Sequence, residues 1–219
     1  SNSIILKEDP SMWGFIVKGG PVMIPIIIGS IIGLAIILEK LWMLNRLKIN
    51  TAAFADEVFQ NIRSNKVQKA LWLCDHHIDH PLAAVLKVGI ERRSSTPERL
   101  EKIMEQAGNT QVQRLEKRLG GLASITSIEP LMGFLGTITG LIKAFMSWEG
   151  AGANVTVSLL ALGIYEAMIT TAAGLSVAIP YYLCYNYFIS RIKYISTEMN
   201  EYSTQFIDIL MEAKGEGSR

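Results

Sequence analysis

No charged residue stands between Pro21 and Leu38, an 18-residue run closed by Glu39-Lys40. Two other stretches are nearly as bare. Residues 119–142 hold one charged residue, Glu129, and residues 151–190 hold one, Glu166. At a rise of about 1.5 Å per residue, roughly 20 apolar residues cross the core of a bilayer. The pattern predicts an all-α membrane protein with transmembrane helices at 21–44, 119–147 and 154–190. The third is too long for one crossing and is expected to project beyond the membrane. A cleaved leader fits the first run poorly, because it begins late and lacks a basic n-region and a small-residue cleavage site.

The remaining charge sets the expected orientation. From Arg46 to Arg118 there are 13 Lys and Arg, and from Arg191 onward there are four. The short loop at 148–153 has none. Positive-inside counting therefore places 45–118 and 191–219 in the cytoplasm, and residues 1–20 and 148–153 on the outer side. Lys7 and Lys18 are minor exceptions. Trp13 and Trp148 are expected at the outer interface, and Trp42 nearer the inner one. Only 19% of residues are charged, against about 25% in soluble domains. The net charge of +1 and the apolar content exclude disorder. Two cysteines exclude a disulfide scaffold, and 21 basic against 20 acidic residues argue against nucleic-acid binding by bulk charge.

The polar region also reads as helix. Asn50 or Thr51 is a cap for Phe54, Val58 and Ile62, and Val67, Leu71 and Cys74 continue that period until Pro81. Leu82, Val85, Leu86 and Ile90 mark another helix. Ser95-Thr96-Pro97-Glu98 is a helix start, with Ser95 as cap or Pro97 at the first position. No break is evident from there into the second membrane run, so one continuous helix is expected. After the third run, Phe188, Ile192, Ile195, Met199, Tyr202, Phe206 and Ile209 alternate spacings of four and three. That repeat belongs to helices packed side by side, to about Ala213. Two long helices with apolar faces suit a barrel built by several subunits.

Four features carry candidate chemistry. Glu166 falls about 12 residues, or about 18 Å, into the third helix. A carboxylate there costs about 2.5–3.5 kcal/mol on insertion scales, and no Lys or Arg is expected mid-span to pair with it. It reads either as an ion-path or partner-binding group, or as a hydrogen-bonded Glu that tightens packing. Glu129 precedes Pro130, which frees the carbonyl of Thr126. Its polarity serves either an ion path or a local structural bond. Hydroxyls follow: Ser124, Thr126, Ser127, Thr137 and Thr139 on the second helix, and Thr170, Thr171 and Ser176 on the third. Residues 166, 170 and 173–174 share a face, and such a stripe either lines a narrow wet path or joins helices. Small or kinking residues complete the set: Gly133, Gly136, Gly140, Gly163, Ala167 and Gly174 permit close helix approach, and Pro130 and Pro180 are expected to kink their helices. His76, His77 and His80 look like a metal cluster, but residues before proline avoid helix. They read as a solvated helix end, with no metal or other cofactor expected. No phosphate loop, nucleophile elbow or catalytic carboxylate pair is present, so an enzyme is not expected.

Glu129-Pro-Leu-Met-Gly-Phe-Leu-Gly-Thr137-Ile-Thr-Gly-Leu-Ile-Lys-Ala-Phe145 resembles the second-helix motif of the MotA/TolQ/ExbB proton-channel family. Glu166-Ala-Met-Ile-Thr-Thr171-Ala-Ala-Gly-Leu-Ser-Val-Ala-Ile-Pro180, followed by Tyr185-Asn186, resembles its third-helix motif. Lys18-Gly-Gly-Pro-Val-Met also fits. Three helices rather than four resemble the ExbB and TolQ branches more than the flagellar one. The resemblance implies a homopentamer in the inner membrane of Gram-negative bacteria. It implies a pore holding an ExbD/TolR-like single-helix dimer, and work passed to a TonB-like or TolA-like protein. It implies that Thr137, Glu166 and Thr171 are polar pore residues. The implied ion is H+, with Na+ as the alternative. Glu129 departs from the family, which commonly has a small residue before this proline. A flagellar-type, gliding or defence motor is a competing reading within the family. A non-conducting membrane scaffold is the competitor outside it.

Overall fold

The computed structural model describes residues 19–47, 49–151 and 157–216. All regular structure among them is helical: α1 (Met23–Arg46), α2 (Thr51–Arg63), α3 (Val67–His76), α4 (Pro81–Glu91), α5 (Pro97–Glu116), α6 (Leu119–Ala151) and α7 (Val157–Glu216). Three stretches are long and apolar enough to cross a membrane: Met23–Arg46, Leu119–Gly150 and Gly163–Ala213. The expectations for Lys7, Trp13, Lys18 and the end of the loop at 152–153 fall outside the described residues.

Contacts divide the chain into two units. The first holds residues 19–38 and 118–185 of the described chain. Its core is small: Met23, Ile26 and Ile169 are buried together, with Met132, Ala173 and Val177 packed against them. Most large side chains point outward, including Ile31, Leu131, Phe134, Met146, Met168 and Leu183, each more than 60% exposed. In water such a surface would drive association; in a bilayer it can face lipid.

The second unit holds residues 39–117 and 186–216 of the described chain. Asn50 caps α2, its side chain accepting from the Ala53 amide at 3.1 Å. The period from Phe54 to Cys74 does not run through one helix. Ser64-Asn65-Lys66 interrupts it, with Asn65 at φ 57. Asn is one of the few side chains that tolerate this region. Pro81 opens α4 and Pro97 opens α5, both in the first turn, where the missing amide costs nothing. Thr96, not Ser95, occupies the cap position of α5. Phe188, Ile192, Ile195, Met199, Phe206 and Ile209 are all buried, so the stripe faces the interior of its own unit. The Phe206 ring lies tilted against that of Phe59, with ring centroids 6.4 Å apart.

The expectation of a continuous helix is corrected too. The helix does not run unbroken from Pro97 into the second membrane stretch. α5 ends at Glu116; Lys117 turns to ψ 130 and Arg118 to φ 72 before α6 begins. The Arg118 carbonyl accepts from Gly121 and Leu122, which starts the new helix. Lys40 is fully buried, and its Nζ donates to the Leu115 carbonyl at 2.7 Å, meeting one of the acceptors that the end of α5 leaves open.

Candidate functional site

Small residues let α6 and α7 approach closely. A β-carbon at Gly133 would stand 3.0 Å from Thr171 Cα and 3.1 Å from the Thr170 carbonyl oxygen. At Gly140 it would meet the Gly163 carbonyl oxygen at 2.9 Å and Ala167 Cβ at 3.1 Å. Gly163 in turn lies against Ala144, and Gly174 against the backbone of Glu129 and Gly133. Gly136 leaves a notch filled by the Thr170 side chain, which is completely buried. Pro130 and Pro180 lie inside α6 and α7 respectively.

The hydroxyls divide into two groups. Ser124, Thr126, Ser127, Thr137, Thr139 and Thr170 donate to carbonyls of their own helices; Thr137 reaches the Phe134 carbonyl at 2.6 Å. Thr171 instead donates across the interface to the Gly133 carbonyl at 3.1 Å. The two adjacent threonines therefore do different things. Thr170 fills space, whereas Thr171 joins helices and stays partly exposed.

The two carboxylates are separated. Glu129 is 3% exposed and packs against Gly29 of α1, where any β-carbon would collide with its Oε1. Its Oε2 has no hydrogen-bond partner among the described residues. Nearby in sequence on α1, the Ser30 carbonyl accepts from the Tyr181 hydroxyl at 2.7 Å, and the Tyr181 ring packs over Gly33. Glu166 is not isolated, which corrects the expectation that it lacks a basic partner. Lys143 Nζ lies 2.6 Å from its Oε1. Lys143 follows the charge-free run by one residue, and its four-carbon stem carries the ammonium across to α7. The turn before α1 covers the pair, since a β-carbon at Gly20 would overlap Glu166 Oε1.

The described structure thus gathers Glu129, Gly133, Thr170, Thr171 and Gly174 along one part of the α6–α7 seam. Glu166 and Lys143 sit further along it, and Thr137 lies on α6 with its hydroxyl exposed. The histidines are distributed otherwise. His76 ends α3, His77 follows it, and His80 precedes α4. Burial, with His77 second, holds His80 down at about 4.

Known sequences place this seam. The profile described as the MotA/TolQ/ExbB proton channel family matches residues 77–201, more than half of the chain and all of the seam's α6 and α7 residues. The chain belongs to the MotA/TolQ/ExbB proton channel family. It is similar to ExbB-like 1 of Synechocystis, named for biopolymer transport, at 31% identity over 192 residues, covering 85% of this chain and 74% of that protein. It is similar to the Tol-Pal system protein TolQ of Haemophilus influenzae at 37% over 107 residues, covering 49% of this chain and 46% of that protein. ExbB-like 3 of Synechocystis is 28% identical over 173 residues, or 78% and 82% of the two chains. This is a multi-pass membrane protein with three candidate spans, of a channel family and not an enzyme.

Lys143 is the residue that sequence reasoning missed. The signal that could have found it was its place inside the second-helix motif, two residues before Phe145 and one past the charge-free run.

Proposed function

We propose that the chain is the ion-conducting subunit of an inner-membrane motor. In this reading it forms a homopentamer around an ExbD/TolR-like single-helix dimer and turns proton-motive force into work on the cell envelope. A proton crossing the membrane releases about 2.3 kcal/mol per 100 mV, which sets the energy available per step. The carrying observation is the α6–α7 seam. Thr171 and the Glu166–Lys143 pair are partly exposed along this interface, whereas its other polar residues, Glu129 and Thr170, are buried. Five residues of α7 separate Glu166 from Thr171, about 7.5 Å of rise, so one helix presents two polar levels to a partner. Thr137, Glu166 and Thr171 form the proposed path; Glu129 and Thr170, enclosed in the protomer, tune it from behind.

The exposed apolar faces of all three spans support assembly with other chains and with lipid. The basic residues of 45–118 and 191–219 support a cytoplasmic C-terminus and a periplasmic N-terminus. An ExbB-like role with a TonB-like protein is favoured by the longer alignment to ExbB-like 1; the higher local identity to TolQ favours a TolA-like recipient as the second reading.

The test is co-purification with an ExbD/TolR-like single-helix protein of the same organism, followed by native mass measurement and ion flux in vesicles. Five copies, a bound partner dimer and proton flux are expected. Thr171→Val should abolish flux while the assembly stays intact. An assembled Thr171→Val complex with normal flux would sink the assigned path. A wild-type complex that assembles and passes no ion, with Glu166→Ala retaining output, would show a scaffold instead.

A further inference from the structure

Lys143 is the one basic side chain that reaches Glu166 among the described ion pairs, at 2.6 Å. The two are unequally exposed: half of the Lys143 side chain is open, but only 22% of that of Glu166. A third element closes the arrangement. Gly20 adopts φ 69 in the turn that opens α1, and Met23 donates to its carbonyl at 3.1 Å. The Gly20 backbone lies so near Glu166 Oε1 that no side chain fits there, and its β-carbon position is 3.5 Å from Lys143 Nζ. The carboxylate therefore has an ammonium on one side and the start of a helix, the positive end of its dipole, on another.

We propose that Lys143 is the positioning residue of Glu166. It fixes the carboxylate under the α1 turn as half of a neutral pair, and Glu166 joins the ion path when Lys143 lets go. This rests on the conducting reading given above. Two observations carry it. A lone carboxylate within a span is costly, so its nearest cation governs where it stays. Lys143 is also the exposed partner on a long flexible stem, so it is the half of the pair that can move. Gly20 keeps the other side of Glu166 filled with backbone, so the carboxylate cannot turn towards α1 when the pair opens.

The test uses the complex of this chain with its single-helix partner, in membranes. A membrane-permeant, apolar carbodiimide reaches and activates a carboxylate within a span, and a touching amine displaces the urea to leave an isopeptide bond. Mass spectrometry should find Lys143 joined to Glu166 in the wild type, and no such link in Lys143→Arg or Glu166→Gln. The exposed Lys87–Asp75 pair, 2.5 Å apart, is the internal control. An N-acylurea on Glu166, which shows that the reagent reached the carboxylate, without a Lys143–Glu166 link overturns the proposal.

Flux is read on the same samples. Lys143→Arg should conduct within about twofold of wild type, because it keeps the charge-assisted bond. Lys143→Met removes the ammonium that returns Glu166 to its place after each release, and should lose about tenfold or more, the worth of one such bond, with oligomer mass and bound partner unchanged. Lys143→Met conducting normally overturns the proposal. So does Lys143→Met that loses the partner, or Lys143→Arg that fails like Met, since both point to a structural lysine. A wild-type complex that assembles without conducting sinks the conducting reading and the role of Lys143 in it, while the isopeptide still reports whether the pair exists.

Discussion

Replacing Gly133 by Ala adds one methyl group where α7 presents backbone and not side chains. The new β-carbon would stand 3.0 Å from Thr171 Cα, 3.1 Å from the Thr170 carbonyl oxygen and 3.4 Å from that of Thr171. A flexible side chain could swing aside; a helix backbone cannot. The helices must part by a few tenths of an ångström at this level. Overpacking of this kind costs about 1–3 kcal/mol. The Thr171-to-Gly133 hydrogen bond, already 3.1 Å long, stretches further, and such bonds contribute about 0.6 kcal/mol within membranes. Against this, Ala gains about 0.8–1 kcal/mol over Gly within a helix. The net loss is about 1–2 kcal/mol, near a tenfold shift in the folded population. For a chain of this size it lowers the melting temperature by about 2–8 °C. The assay is thermal unfolding of the purified protein in one detergent, beside Gly120→Ala. Gly120 lies in the same helix with nothing within 4 Å of its β-carbon position, so that variant should melt at or slightly above wild type. The reasoning is refuted if Gly133→Ala also melts at or above wild type, or if both variants fall equally.

Other expectations concern the second unit. Phe206→Ala removes a ring that is wholly buried beside Phe59 and Gly89, and should cost about 3–5 kcal/mol; limited proteolysis of residues 51–116 would show the loss, whereas Met211→Ala, at an exposed site, should leave the pattern unchanged. Burial pushes the Cys74 thiol up to about 12, with Asp75 adding to the effect, so iodoacetamide at neutral pH should spare Cys74 in the folded protein and label it after denaturation. His80 is held neutral at about 4 against an ordinary 6.5, so the unfolded chain takes up its proton first as pH falls. The stability it contributes is full above 6.5 and is lost between 6.5 and 4, by up to about 3 kcal/mol; melting curves across that window should flatten in His80→Asn.

Runs with no charge or a single one made the three spans legible, because sparse charge over about 20 residues is a property of the sequence itself. The inward stripe from Phe188 to Ile209 was legible for the same kind of reason, since helical period survives without knowledge of the partner. The break before α6 was not. Lys117 and Arg118 are ordinary helix formers, and a positive φ at Arg118 is a choice made by the surrounding packing. Gly120-Gly121 just beyond was the only local hint.

The candidate site shows the limit of periodicity more sharply. Thr170 and Thr171 are neighbours in sequence, yet they point about 100° apart around α7. One fills the notch at Gly136 and the other bonds to Gly133. Glu166, Thr170 and Gly174 share a face by spacing, but they meet Lys143, Gly136 and the Glu129 backbone respectively. Period assigns a face, and the opposing helix then assigns each residue its role. The Lys143–Glu166 pair spans 23 residues and two helices, so no local pattern encodes it. That is also why the pair can be altered from either side. A change at Lys143 acts on Glu166 without touching the motif that carries the carboxylate, and a change at Gly20 acts on it from a third segment. Control of Glu166 is thereby divided among three separate parts of the sequence.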